Sequence, residues 1–144
     1  MITMKRNATA VWKGDLKSGK GVISTQSGVL DQTQYSFSTR FEDGKGTNPE
    51  ELVAAAHAGC FAMALSMMLG QAGMTAESIE AKATVALEQK DGGFAVTSSH
   101  LDVRVRIPGG NQAAFDQAAQ NAKAGCPISK LLNAQITMDA QLES

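Results

Sequence analysis

The feature that most constrains this chain is a long apolar segment preceded by a strong helix-start signal. The stretch Thr47-Asn48-Pro49-Glu50-Glu51 offers an N-cap asparagine, a proline at the first helical position and a glutamate three residues after the cap. The residues that follow predict a helix to about Gly70, with apolar side chains nearly all round it rather than along one stripe. Such a helix must be covered on most sides, and a second copy of the chain is a natural cover.

Strand-like segments lie on both sides of this helix. Three short runs before it predict a β-meander, and two long alternating runs after it predict a β-hairpin that turns at Asp91-Gly92-Gly93. We therefore predict an α+β fold in which antiparallel β-sheets surround a long central apolar helix. The predicted strands are Asn7–Trp12, Lys20–Thr25, Gln34–Phe41, Ser78–Lys90, Phe94–Ile107 and Ala134–Leu142, and the predicted helices are Pro49–Gly70, Asn111–Ala124 and Pro127–Asn133.

Length and charge limit the class of protein. The 144 residues contain no repeat, low-complexity tract or linker, so we expect one domain, 1–144. Thirteen Lys and Arg against fourteen Asp and Glu give a net charge of -1, which argues against a nucleic-acid or acidic-membrane surface. Hydrophobic residues at 43% and charged residues at 19% are ordinary for a soluble globular protein.

The same reasoning gives an expected location. The first ten residues contain Lys5 and Arg6 but no apolar run after them, so we expect no secretory signal and a cytoplasmic protein. The apolar stretch Ala54–Gly70 is interrupted by His57 and Ser66 and is shorter than the roughly 18 residues of a membrane span. We expect it to be a buried helix and expect no membrane partner.

The two cysteines are the candidates for chemistry. Cys60 lies about three turns into the long helix, where the helix dipole contributes little, so a reactive thiolate there would need a nearby cation. A small buried hydrophobe is the other interpretation of this residue. Cys126 lies between Gly125 and Pro127, where free backbone N–H groups at a helix start favour a thiolate, as for a resolving thiol. A helix–helix corner capped by a small residue fits that position equally well.

His57 precedes Cys60 by one helical turn and therefore shares its face of the helix. It could act as a base or, together with both cysteines and Glu50, ligate a soft metal ion. Zinc sites usually show tighter paired spacing, so we favour a buried, hydrogen-bonded histidine and expect no metal.

Taken together, these segments resemble the OsmC/Ohr family of organic hydroperoxide peroxidases, in its OsmC-type branch. The resemblance covers essentially the whole chain and is most specific in the helical cysteine before Phe61 and the second cysteine before Pro127. Its carriers are Trp12-Lys13-Gly14-Asp15-Leu16-Lys17-Ser18-Gly19-Lys20-Gly21, Thr39-Arg40-Phe41, Thr47-Asn48-Pro49-Glu50-Glu51-Leu52, Ala54-Ala55-Ala56-His57-Ala58-Gly59-Cys60-Phe61 and Ala122-Lys123-Ala124-Gly125-Cys126-Pro127.

The resemblance implies a thiol peroxidase of oxidative or osmotic stress defence. In it, Cys60 matches the peroxidatic cysteine and Cys126 the resolving cysteine, joined by a disulfide after oxidation, while Arg40 and Glu50 match the pair that activates the thiolate. Arg40 is expected at the end of the third strand. An external reductant, a dihydrolipoyl-type dithiol or a small thiol, would reset the disulfide, and no cofactor or metal is implied.

Two questions stay open at this point. Apolar neighbours such as Phe61, Met63 and Leu65 would suit an alkyl hydroperoxide, yet the chain could instead be a non-catalytic redox-sensing or apolar-ligand-binding module. On one straight helix, Glu50 and Cys60 would lie about 15 Å apart along the axis and about 80° apart around it. Either the helix breaks after its first turn, or Arg40 and Glu50 serve the Cys60 of a second subunit in an intertwined homodimer, which we favour.

Overall fold

The computed structural model describes residues 2–144. Contacts divide the chain into two compact units, one ending at Leu52 and one beginning at Val53. The first unit holds a three-stranded antiparallel meander, as predicted, in the order β1-β2-β3. Its elements are β1 (Ala8–Lys13), β2 (Lys20–Thr25), β3 (Thr33–Tyr35) and α1 (Phe37–Phe41).

The short helix α1 corrects a sequence prediction. A strand was expected over Gln34–Phe41, but β3 ends at Tyr35 and the chain turns at once into α1. Ser36 causes the change, because its Oγ accepts a hydrogen bond from the Thr39 N–H at 3.3 Å while Thr39 Oγ1 accepts one from the Ser36 N–H at 2.7 Å. This reciprocal capping box stabilises a helix start and places Arg40 on a helix instead of a strand.

The long helix α2 (Pro49–Gln71) is continuous and extends from the end of the first unit into the second. Its predicted N-cap is confirmed, since Asn48 Oδ1 accepts a hydrogen bond from the Glu51 N–H at 2.7 Å. The helix runs without a break through its first turn. By length and composition alone α2 could cross a membrane, a test that core helices of soluble proteins also pass.

The second unit contains a second sheet and two further helices. Its sheet has the order β4-β5-β6, with β4 and β5 antiparallel around a turn at Asp91 and Gly92, where both backbone φ angles are positive. The remaining elements are β4 (Ser78–Lys90), β5 (Gly93–Arg106), α3 (Gln112–Gly125), α4 (Pro127–Leu131) and β6 (Gln135–Glu143).

The last strand corrects the expectation that all strands pair antiparallel. β6 runs parallel to β5, with Leu101 opposite Met138. The reason is the connection: α3 and α4 form a helical crossover that returns the chain to the end of the sheet where β5 began, as parallel pairing requires. The fold class remains α+β, with two small sheets and one long helix.

A single hydrophobic core fills the second unit. One face of α2 is fully buried at His57, Phe61, Leu65 and Leu69, which recur at the four-residue spacing of one helix face. The inward side chains of β5 and the small and aromatic side chains of α3 complete the core cluster. On the rest of α2, Met63 is 78% exposed and Met67 is 55% exposed. A single chain therefore leaves an apolar part of this helix uncovered.

Candidate active site

An ion pair between Arg40 and Glu50 is the best-defined charged feature of the first unit. Arg40 Nε and Nη2 donate to Glu50 Oε1 and Oε2, each at 3.0 Å, so the guanidinium and the carboxylate form a bidentate ion pair. The Arg40 side chain stays 39% exposed while that of Glu50 is 13% exposed. Glu50 thus orients Arg40, and the remaining guanidinium N–H groups are available to another group.

Asn48 holds the two elements of this pair together. Its Oδ1 caps α2, and its Nδ2 donates to the backbone carbonyl of Thr39 in α1 at 2.9 Å. Because Thr39 and Arg40 are adjacent in α1, the start of α2 is fixed to the turn of backbone that carries Arg40. The Thr47 hydroxyl adds a further bond to Glu51 Oε2 at 2.8 Å. The sequence Thr47-Asn48-Pro49 therefore positions the ion pair as well as starting a helix.

Arg40 lies at the edge of an apolar pocket that the sequence reasoning missed. The pocket has a volume of about 230 Å³ and, besides Arg40 and Ser36, is lined by Trp12, Leu16, Tyr35, Phe37 and Phe41. The rings of Trp12 and Tyr35 pack at 5.5 Å between centroids, across β2. The signal that could have found it is the set of aromatic residues clustered on β1, β3 and α1.

Gly21 makes the Trp12–Tyr35 ring pair possible. It faces Trp12 on β1 and Tyr35 on β3 in the sheet register. A Cβ atom at this position would lie 2.5 Å from Tyr35 Cε1 and 2.6 Å from Trp12 Cε3, closer than real contacts allow. A glycine here therefore lets two large rings meet over the middle strand and form a wall of the pocket.

The two cysteines meet in the second unit. Cys126 is fully buried in the core cluster, where it caps α4, and the half-buried Cys60 packs against that cluster from α2. Both thiols are free, and they lie close enough for each to shift the pKa of the other. The fold therefore brings together two sulfur atoms that are 66 positions apart in the sequence.

The surroundings of the two thiols shift their acidity in opposite directions. Burial and the hydrogen bond with Cys126 raise the pKa of Cys60, and the Ile128 N–H only partly opposes this. Burial also raises the pKa of Cys126, but hydrogen bonds from the Cys60 thiol, from both the N–H and hydroxyl of Ser129, and from the Ile128 N–H outweigh it and lower that pKa. The N-terminus of α4 thus stabilises a thiolate at Cys126, whereas Cys60 has no cation in the second unit to do so.

His57 is buried and hydrogen-bonded, as the sequence reasoning favoured. Its side chain is 0% exposed, its Nδ1 lies 2.7 Å from Ser99 Oγ on β5, and its Nε2 lies 2.8 Å from Ser129 Oγ on α4. Burial lowers the pKa of His57, so the ring is neutral near pH 7. Both ring nitrogens are therefore engaged by hydroxyl groups.

The four predicted site residues fall into two pairs. Arg40 contacts Glu50 in the first unit, and Cys60 contacts Cys126 in the second. Of the expected apolar neighbours of Cys60, Phe61 and Leu65 are fully buried in the core cluster against which Cys60 packs. Side-chain direction around α2 explains this, since Phe61 and Leu65 share the buried helix face with His57.

A group of possible metal ligands lies elsewhere, on the second sheet. His100 Nε2 is 3.3 Å from Asp102 Oδ1 and 3.2 Å from Asp139 Oδ2, and its Nδ1 is 2.5 Å from Thr137 Oγ1. Such a set could hold a divalent cation, but both carboxylates are exposed, and the same contacts form an ordinary surface ion-pair cluster. His100 follows Ser99 on β5 and so projects from the opposite sheet face.

Comparison with known proteins agrees with this fold. A family model described as OsmC-like protein matches residues 42–141. The chain is 54% identical over 143 residues to peroxiredoxin OsmC of Escherichia coli (strain K12), covering 99% of this chain and 100% of that protein. It is 27% identical over 124 residues to the organic hydroperoxide resistance protein OhrB of Bacillus subtilis, covering 85% and 89% of the two chains.

Solved structures share the architecture at low sequence identity. An OsmC-like protein of unknown function from Vibrio cholerae superposes with a TM-score of 0.78 at 17% identity, covering 96% of this chain and 100% of the other. The Bacillus subtilis OhrB structure gives a TM-score of 0.67 at 24% identity, covering 95% and 98%. The family model spans most of the chain and a full-length relative is 54% identical, so this protein belongs to the OsmC-like family.

Proposed function

We propose that this protein is a thiol-dependent peroxidase that reduces organic hydroperoxides to alcohols. The observation that carries the proposal is the neighbouring pair of free thiols, the half-buried Cys60 and the fully buried Cys126, in an OsmC-like chain. The names of its relatives, a peroxiredoxin and organic hydroperoxide resistance proteins, support the same chemistry.

The proposed reaction has two steps at Cys60. Its thiolate attacks the terminal oxygen of the hydroperoxide, so that an S–O bond forms, the O–O bond breaks and the alcohol leaves after taking a proton. Cys60 is then a sulfenic acid, oxidised by two electrons. Cys126 attacks that sulfur to form a disulfide and release water, which protects Cys60 from irreversible oxidation. An external dithiol or small thiol reduces the disulfide by exchange, and the chemistry requires no bound cofactor.

The raised pKa of Cys60 supports a role for Arg40. Burial disfavours the Cys60 thiolate within its own unit, so a permanently charged guanidinium at the sulfur would supply the missing stabilisation. Arg40 is suited to this because Glu50 engages two of its N–H groups and leaves the others free to bind the thiolate and the peroxide.

Two observations favour a homodimer in which this contact crosses between subunits. The helix α2 is continuous, and Cys60 follows Glu50 by ten residues along it. The exposed side chains of Met63 and Met67 leave part of α2 uncovered, and a second copy of the same helix would cover it. Each dimer would then contain two sites, with Arg40 and Glu50 from one chain and the cysteines from the other.

The pocket beside Arg40 supports an organic rather than an inorganic substrate. Its apolar lining would bury the alkyl or aryl group of a hydroperoxide while Arg40 binds the peroxide oxygens. Hydrogen peroxide has no group to fill such a pocket. The ordinary soluble composition and the buried face of α2 fit a cytoplasmic location for this reaction.

Single cysteine variants test the proposed roles. We expect Cys60→Ser to abolish consumption of cumene hydroperoxide in the presence of a dithiol. Cys126→Ser should complete one turnover and then accumulate sulfinic or sulfonic acid at Cys60, detected by intact-mass spectrometry. Equal loss of the first turnover in both variants would contradict these roles, and a single stoichiometric oxidation of the unmodified protein, without turnover, would favour a redox sensor.

Mixed dimers test the shared site. Arg40→Ala and Cys60→Ser chains, each inactive alone, are unfolded and refolded together in equal amounts, with different affinity tags to verify mixed dimers. If sites cross between subunits, each mixed dimer regains one intact site, and about a quarter of the wild-type specific activity returns. Background activity in verified mixed dimers would place the whole site within one chain.

A further inference from the structure

A buried line of polar side chains extends from the cysteine pair to His57. Cys60 and Cys126 shift each other's pKa, and Cys126 is the N-cap of α4. Ser129, three residues later, has a hydroxyl that lowers the pKa of Cys126 and lies 2.8 Å from His57 Nε2. On the far side of the ring, His57 Nδ1 meets the Ser99 hydroxyl at 2.7 Å. Within residues 2–144, every buried side-chain nitrogen and oxygen has a hydrogen-bond partner. The His57 ring and the hydroxyls of Ser99 and Ser129 are therefore all paired.

The partners of His57 suit a group that exchanges a proton. A carboxylate or a backbone carbonyl beside a histidine ring fixes one tautomer. Both partners here are hydroxyls, and a hydroxyl can donate or accept as it rotates. Rotation of the two hydroxyls can therefore reverse the donor and acceptor roles along the line without moving a heavy atom. Because burial lowers the pKa of His57, the ring is neutral near pH 7 and one of its nitrogens is unprotonated.

The Cys126 thiol needs a group that accepts its proton. The side chain is 0% exposed, so solvent does not reach its thiol directly. Yet the thiolate, not the thiol, is the nucleophile that must attack the oxidised sulfur of Cys60. We propose that His57 is a positioning residue that takes up the Cys126 proton through the Ser129 hydroxyl while the Cys60–Cys126 disulfide forms. This inference deepens the proposed function and rests on it.

The step balances as follows. The Cys126 thiol gives its proton to Ser129 Oγ while the Ser129 hydroxyl proton moves to His57 Nε2. A lone pair of the Cys126 sulfur then forms the S–S bond, and the S–O bond of the Cys60 sulfenic acid breaks with its electrons on the departing hydroxide. Hydroxide becomes water when it gains a proton, and the imidazolium releases one, so His57 ends neutral. Cys60 sulfenic acid and Cys126 thiol have become one disulfide and one water.

Few charged groups surround this line. The titratable groups on it are His57 and Cys60 from α2 and Cys126 at the start of α4. On β5, His100 projects from the opposite sheet face and pairs with Asp102 and Asp139. The charged residues nearest in sequence on α3 and α4 are Lys123 and Lys130. Within residues 2–144 no carboxylate bonds with His57, so its ring has no anion to hold a permanent positive charge.

A two-stage thiol reaction isolates the step that His57 is proposed to assist. Reduced protein is mixed with 5,5′-dithiobis(2-nitrobenzoate), which forms a mixed disulfide at the more accessible Cys60 and releases one thionitrobenzoate. Cys126 then attacks this mixed disulfide and releases the second, which is followed by absorbance. Cys126→Ser identifies the stages, because it should retain only the first release. No peroxide is used, so the measurement does not depend on peroxidase activity.

For His57→Gln and Ser129→Ala we expect the second release at pH 7 to slow at least about tenfold, within the range of lost general base catalysis. The first release should stay within about twofold of wild type. Raising the pH should close the gap, because hydroxide then removes the Cys126 proton. Ser129→Thr keeps a hydroxyl and should restore the rate, and Ser98→Ala, on the neighbouring position of β5, serves as a control.

The outcomes distinguish a proton relay from a purely structural role of His57 and Ser129. If the second release is slowed by the same factor at every pH, the variants merely displace Cys126. If its rate at pH 7 is unchanged, no relay operates. Either result overturns the inference. If His57→Gln does not fold, Ser129→Ala against Ser129→Thr decides the question alone. A wild-type protein that fails to turn over cumene hydroperoxide but shows these kinetics would refute the proposed function and leave the relay standing.

Discussion

Truncating Trp12 should weaken the choice of organic hydroperoxides over hydrogen peroxide. Trp12 supplies the largest apolar side chain of the pocket beside Arg40, packed against Tyr35. A pocket of about 230 Å³ accommodates a group about the size of a phenyl ring. Burying a group of that size contributes about 1.5–3 kcal/mol, which is roughly 10- to 150-fold in kcat/KM. That factor is the expected preference of the wild-type enzyme for cumene hydroperoxide over hydrogen peroxide.

Trp12 is the largest of five apolar side chains in the lining, so Trp12→Ala should remove more than a fifth of this contribution, about a third. The loss is about 0.5–1 kcal/mol, or about two- to fivefold in kcat/KM for cumene hydroperoxide. The rate with hydrogen peroxide should not change, because that substrate does not contact the pocket walls. Trp12→Phe keeps an aromatic wall and loses only the bond from Trp12 Nε1 to the Gly14 carbonyl, so it is the matched control.

The assay compares kcat/KM for both peroxides in wild type, Trp12→Ala and Trp12→Phe under one dithiol. An equal fall for both peroxides would mean that Trp12 positions Arg40 rather than binding substrate. No fall for cumene hydroperoxide would mean that the substrate binds elsewhere. Leu16→Ser provides a second test with little risk to the fold, since Leu16 lines the same pocket and is 62% exposed.

Three further outcomes follow from the same contacts. Arg40→Lys cannot form the two-armed contact with Glu50, so peroxidase activity should fall at least tenfold, while the melting temperature moves little because an exposed ion pair is worth about 0–1 kcal/mol. Phe61→Ala removes a fully buried ring and should lower the free energy of unfolding by about 3–5 kcal/mol in urea titrations; a loss under about 1 kcal/mol would contradict its core position. The pKa of His57 is lowered in the folded chain, so the unfolded chain binds more protons below the ordinary value of 6.5. Stability should therefore decrease as the pH is lowered through this range, by up to about 1.4 kcal/mol per pH unit. Melting curves should show that His57→Gln lacks this slope.

Local signals in the sequence predicted the elements that depend on local chemistry. The start of α2 follows from Asn48 and Pro49, because an N-cap bond spans only three residues. The strand Ser78–Lys90 has the predicted bounds, since alternation of buried and exposed side chains is visible along the strand itself. The single-domain prediction, 1–144, and the roles of Arg40, Glu50, Cys60 and Cys126 stay predictions.

Features that depend on distant partners could not be predicted in the same way. Alternation in the last strand shows which side chains face inward but not the direction of its neighbour, so the parallel pairing of β6 was missed. The helix α1 was mistaken for a strand because its five residues are too few to show a helical period. The hydroxyls around His57 come from 42 and 72 residues away, and no local pattern connects them.

The exposed methionines of α2 have a chemical consequence for newly made chains. The thioethers of Met63 and Met67 are open to solvent in a single chain, and peroxides convert methionine to its polar sulfoxide. A chain oxidised there before it meets a partner would carry polar groups on the surface proposed to bury against a second copy. The peroxide that the dimer is proposed to remove would thus hinder formation of the dimer. Methionine sulfoxide reductases would restore the apolar surface. Growth under peroxide stress would then depend on how fast these chains pair.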